Sequence, residues 1–168
     1  MSTSGAEVVG AGSILVDSGP LLLLLIGSVD PNLIPRHKRL DAYSESHFAE
    51  LRRFVESFGR VLVTPNILTE VSNLAPSFKL GDDELKRRVL SRLAQLIEEV
   101  LEVVVPSREA ATQPEFLRLG LTDSGILSSI EEKVTVLTAD FNLYQALLGR
   151  GRTAINVFHL LRDLAPPS

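Results

Sequence analysis

The sequence contains no cysteine. Disulfide frameworks, thiolate metal sites and cysteine nucleophiles are therefore excluded, and a cytoplasmic setting fits. Histidine is scarce: His37, His47 and His159 are scattered along the chain, which speaks against a histidine-built zinc or haem site. Long hydrophobic runs are missing as well. The run Leu21–Ile26 is far shorter than the roughly 20 residues of a membrane helix. Met1–Gly12 lacks the positive segment of a secretory signal and reads as a flexible leader, with Ala165–Ser168 as a frayed tail. There is no excess of positive charge: Lys+Arg number 17 against Asp+Glu 21, a net charge of −4. A protein that grips nucleic acid by bulk charge is basic, so this one needs a local basic patch or a bound cation. What remains is ordinary globular material, 168 residues with 45% hydrophobic and 23% charged. That is enough for one domain with a real core, expected over residues 13–164.

Strand and helix patterns alternate. Ser13–Asp17 is a short aliphatic run closed by Ser18-Gly19-Pro20, which predicts a buried strand, a turn and a buried helix over Leu21–Ile26. Val29–Pro35 reads as a proline-rich loop, and Lys38–Phe58 as an amphipathic helix stopped by Gly59. Val61–Thr64 predicts a second strand, with Thr64 capping a helix that starts at Pro65 and runs to about Leu74. Asp82 or Asp83 opens a long helix, and a third strand is expected over Glu102–Val105. A helix over Thr122–Glu131, a strand over Val134–Thr138 and a helix over Asp140–Leu148 follow. The chain closes with an edge strand over Ala154–Val157 and a short helix over Phe158–Leu164. Continuous apolar strands separated by helices predict an α/β protein, a three-layer α/β/α sandwich on a mainly parallel sheet. Ligands in such folds bind at the carboxyl ends of the strands.

Acidic residues fall at that edge. Asp17 ends the first strand and Asp140 follows the fourth. Asp123 lies in the first turn of its helix, and Glu70 borders the apolar stripe Ile67, Val71 and Leu74. Each has an ordinary explanation. Asp17 can cap a turn, Asp123 can favour a helix N-terminus, Asp140 can be an N-cap, and Glu70 can be a surface residue. Together they point to one crevice. Two unit charges about 4 Å apart repel by roughly 4 kcal/mol at an effective dielectric near 20. Four carboxylates therefore either protonate in part or take up a hard divalent cation. An oxygen-only donor set favours Mg²⁺ or Mn²⁺ over zinc, and the chemistry that suits it is phosphodiester hydrolysis by a metal-bound water.

Four stretches carry a resemblance. Val16-Asp17-Ser18-Gly19-Pro20-Leu21, Thr64–Val71, Leu121–Leu127 and Val136–Phe141 resemble, in order and separation, the motifs of PIN-domain ribonucleases. The resemblance spans about residues 13–162. It implies a PIN-like fold, Mg²⁺- or Mn²⁺-dependent cleavage of RNA, frequent homodimers and, for many small members, a toxin role with an antitoxin partner. It also implies that Asp17, Glu70, Asp123 and Asp140 are the acidic set, with Asp17, Asp123 and Asp140 on the metal and Glu70 as a ligand or a group orienting the attacking water. Ser18 stands beside the first acid, and Thr138 matches a position that supplies a hydroxyl to the metal or its water. Asn142 sits where a further acid is common and brings a carbonyl without charge. The stretch Ser28–Phe58 is long for a compact toxin and can serve as a clamp, a dimer surface or a partner site.

For substrate contact, Arg36, Lys38 and Arg39 form the best basic cluster, with a solvated helix face as the alternative. Lys86-Arg87-Arg88 with Arg92 reads as a solvated helix face. His37 reads as a surface residue, His47 and His159 as structural. Tyr43 and Tyr144 are core or interface rings, or stack on bases. A phospho-receiver site is disfavoured, because the third strand ends in Val104-Val105-Pro106. An Asp-x-Asp phosphatase is disfavoured by Gly19. A different class of protein, a non-catalytic interaction module on the same fold, is the alternative function.

Overall fold

The computed structural model describes residues 12–129, 131 and 133–163. Of the expected leader only Gly12 is among them, and its carbonyl accepts the Gly59 amide at 3.1 Å. The frayed tail and Leu164 lie outside the described residues. The protein is α/β, with a five-stranded parallel sheet in the order β3-β2-β1-β4-β5. The strands are β1 (Ser13–Val16), β2 (Arg60–Val63), β3 (Leu101–Glu102), β4 (Val134–Thr138) and β5 (Ala154–Asn156).

Central β1 is buried along its whole length, as a strand covered on both faces must be. Its residues pair Leu15 with Leu62 on one side and with Val136 on the other. Right-handed crossovers place the helices between β1, β2 and β3 on one face, and those leading to β4 and β5 on the other. The first group comprises α1 (Ser18–Val29), α2 (Glu45–Glu56), α3 (Pro65–Leu74) and α4 (Asp83–Glu99). The second comprises α5 (Ser107–Ala111), α6 (Phe116–Ser129) and α7 (Phe141–Gly149). A short α8 (Val157–Leu161) follows β5 and touches α2.

Helix α1 is apolar on almost every side and packs against α2, α3, α4 and β4. Its leucines therefore form the centre of the core rather than one stripe. At Gly27 an added Cβ would stand 2.3 Å from the Phe48 ring, so glycine is what lets α1 and α2 approach. No described helix is long and apolar enough to cross a membrane.

Several boundaries differ from the expected ones. The Val29–Pro35 loop is largely a 3-10 turn over Pro31–Arg36, held by Asp30, whose carboxylate accepts the Asn32 amide. The Lys38–Phe58 helix forms only over α2, because Ser44 and His47 close a reciprocal cap that fixes its start. The third strand lies earlier, at Leu101–Glu102, and its pairing fades past the Val103 amide, which bonds the Val63 carbonyl at 2.8 Å. Val104 beyond it is exposed and Pro106 offers no donor. Helix α5 has no counterpart in the sequence reading. The last helix is shorter than expected, ending at Leu161.

Candidate active site

The crossovers leave the sheet on opposite faces at β1 and β4. Such a switch point opens a crevice at the carboxyl ends of the two strands. The first acid is fixed there by the chain itself. Asp17 follows β1 directly, its amide donates to Leu137 of β4 at 2.9 Å, and its side chain caps α1 through the Ser18 amide at 2.7 Å. It is 5% exposed. Its second oxygen accepts the Thr138 hydroxyl at 2.7 Å, and the same hydroxyl oxygen accepts the Asp140 amide at 2.9 Å. Thr138, fully buried at the end of β4, thus holds two acids in fixed relation.

Asp140 caps α7, with one oxygen accepting the Asn142 and Leu143 amides at 2.7 and 3.0 Å. The capping explanations for Asp17 and Asp140 are therefore true as geometry, and each group is nonetheless at the crevice. Glu70, half-buried on α3, accepts the Thr122 hydroxyl at 2.8 Å, which ties the crevice wall formed by α3 to α6. Gly120 breaks α6, with φ +80° and ψ −173°. A side chain is strained in that backbone region. The break starts a fresh helix, so Thr122 and Asp123 stand in a first turn, as the sequence reading expects. Asp123 is half-buried and accepts no hydrogen bond among the described residues.

Asp17, Glu70, Asp123 and Asp140 border one cavity of about 530 Å³, with Ser18, Gly19, Leu119–Thr122 and Ala139 completing its wall. Burial pushes the Asp17 carboxyl above its ordinary value; the Thr138 and Ser18 hydrogen bonds oppose that, and the Glu70 and Asp140 charges add to it. Asp123 is pushed up to about 7, by burial first and then by the charges of Asp17, Asp140 and Glu70. The four acids act on one another electrostatically.

Among the described residues, no group of three or more His, Cys, Asp or Glu side chains is arranged to hold a metal ion. The donor set still suits a hard cation. It is all oxygen, mutually repulsive and in part without hydrogen-bond donors, which matches an ion that keeps several of its own waters.

The remaining expected residues fall as follows. Ser18 lines the cavity, its hydroxyl 3.5 Å from Asp17. The Asn142 side chain is exposed and does not line it; its part is the backbone amide bonded to Asp140. Arg36, Lys38 and Arg39 do not line it either. They follow the far end of α1, where the Arg36 guanidinium donates to the Leu80 carbonyl at 3.3 Å and the Lys38 amide to Ser77 at 2.9 Å. His37, expected at the surface, is wholly buried. Sequence reasoning missed Thr122 and Gly120. A glycine just before a helix start, two residues ahead of a hydroxyl, was the available signal.

No protein-family model matches this chain, and no curated protein matches it. The site therefore rests on its own geometry. A larger cavity, about 600 Å³ between α1, α2 and α4, holds no acidic cluster; at its rim Arg92 pairs with Glu99 at 3.0 Å.

Proposed function

We propose that this protein is a metal-dependent nuclease acting on RNA phosphodiester bonds. The observation that carries the reading is Asp123, raised to about 7 in a crevice it shares with three other carboxylates from three other segments of the chain. A fold gains nothing by gathering like charges, so their convergence is explained by a ligand that neutralises them. Asp17, Asp123 and Asp140 are the residues that would hold Mg²⁺ or Mn²⁺. A bound ion would supply a water acidic enough to attack and would offset charge on the phosphate. Glu70, held by Thr122, would accept a proton from the attacking water. Thr138 sets the spacing of Asp17 and Asp140. RNA as the substrate, a homodimer and an antitoxin partner come from the resemblance of the four motif stretches to PIN-domain ribonucleases.

The test is incubation with a mixed RNA pool in Mg²⁺, Mn²⁺ or EDTA, with Asp17→Asn as control. Cleavage that needs the metal and Asp17 supports the reading; metal-independent cleavage that survives the substitution refutes it. A second reading, a non-catalytic interaction module on this fold, gains support from the lack of a ready three-ligand cage among the described residues. Titration with Mn²⁺ separates the two, since only the nuclease needs an ion that is lost in Asp17→Asn.

A further inference from the structure

Helix α7 is apolar on two faces. Leu143, Ala146 and Leu147 are buried in the core, as one stripe of a covering helix must be. The opposite side, where such a helix normally carries charge, presents the exposed Phe141 and Leu148 with half-buried Tyr144 between them, at spacings of three and four residues. Phe141 is 58% exposed. The helix Phe141–Gly149 contains no charged residue at all. Its rings continue onto α8: Phe141 and Tyr144 lie 6.3 Å apart between centroids, and Tyr144 meets the exposed His159 edge-on at 5.6 Å. This row begins at Phe141, the residue immediately after Asp140 of the acidic crevice.

We propose that Phe141, Tyr144 and His159 form a stacking row for the bases next to the phosphate held in the crevice. The inference rests on the nuclease reading and adds the residues that grip the nucleotide. Three observations favour bases over a protein partner. The row starts one residue past Asp140, which borders the crevice. Its crevice end is aromatic, and every base has a face that stacks on such rings without regard to sequence. Helix α7 itself adds no charge that would repel a polyanion.

The experiment measures fluorescence anisotropy of a tagged oligoribonucleotide, and of the same sugar-phosphate chain without bases, in Mn²⁺. Glu70→Gln protein is used so that the chain stays uncut while Asp17, Asp123 and Asp140 remain to hold the ion. Phe141→Ala, at an exposed position, is expected to weaken binding of the base-bearing chain by roughly tenfold and to leave the abasic chain unaffected. Phe141→Trp restores the binding. Equal affinity for the two chains, or no effect of Phe141→Ala, overturns the proposal. So does a loss of self-association in Phe141→Ala with oligonucleotide binding intact, which assigns the row to a protein contact. The nuclease reading is judged separately by wild-type cleavage in Mn²⁺. Ring-dependent binding by a protein that does not cut would leave the row standing and the nuclease reading refuted.

Discussion

The two ends of the parallel sheet are built on opposite principles. At the carboxyl end, four acids share a cavity, Asp123 goes without a hydrogen-bond donor among the described residues, and Gly120 adopts a backbone that other residues avoid. At the far end of α1, polar groups are matched. Lys79 reaches Asp41 at 2.6 Å and the Pro35 carbonyl at 3.0 Å. The buried His37 ring lies 3.0 Å from the Leu74 carbonyl through Nε2, while Nδ1 accepts the Arg39 amide at 3.2 Å. That pairing requires a neutral ring with its proton on Nε2, and burial accordingly pushes its pKa down. One end has its polar groups paired within the fold; the other, on the proposed reading, is completed by a metal ion. The basic residues Arg36, Lys38 and Arg39 belong to the first kind of surface.

The contrast can be broken in four ways. Asp17→Asn should lower cleavage by about a thousandfold, read as the initial rate on RNA in Mn²⁺, because it removes the buried charge that faces the metal. The variant should stay folded, since the one carbonyl oxygen of asparagine still accepts the Ser18 amide and its NH2 group can donate to the Thr138 hydroxyl oxygen. At the other end, His37→Ala should cost about 3 kcal/mol in urea unfolding, through a cavity and two backbone groups left unpaired. RNA cleavage per folded molecule should not change.

The third test sharpens the comparison through pH. Asp123 ionises near 7 in the fold and near 3.8 when unfolded. A raised carboxyl leaves stability intact below 3.8 and erodes it as pH climbs through 7. Without divalent metal, Asp123→Asn should therefore be more stable than wild type at pH 8, by roughly 1–2 kcal/mol after allowance for solvent screening. The gain should vanish near pH 4, and Mn²⁺ should narrow it at pH 8 by stabilising only the wild type. Thermal melts across pH would check the sign. Last, Asp41→Asn should change stability by less than about 1 kcal/mol, because the Lys79 pair is exposed. A larger loss would show that the far end depends on surface charge more than its hydrogen bonding indicates.

The α/β class, the parallel sheet and four of its strands were legible because buried parallel strands leave short apolar runs, and Pro65 marks a helix start plainly, whereas α1 begins two residues ahead of Pro20, at Ser18, where Asp17 caps it. The acids could be placed for the same reason: a residue just past a strand has one edge of the sheet to occupy. What was not legible depended on distant partners. Apolar residues from Leu40 to Phe58 fit a helix period, yet Leu40 and Tyr43 are buried in the segment that precedes α2. His37 gave no local sign that Leu74 and Phe78 would enclose it. The short β3 yields to neighbouring Val63, not to its own valines. Thr122 gains its role only because α3 brings Glu70 alongside.

The position of α1 has a further consequence. The helix most enclosed by others is also the one that begins at Asp17. The acid is thereby mounted on the least yielding part of the protein, and its precision is inherited from leucines that never meet a ligand. Sequence drift in that interior would shift the carboxylate together with its helix, so on the nuclease reading core volume and reactivity evolve in step.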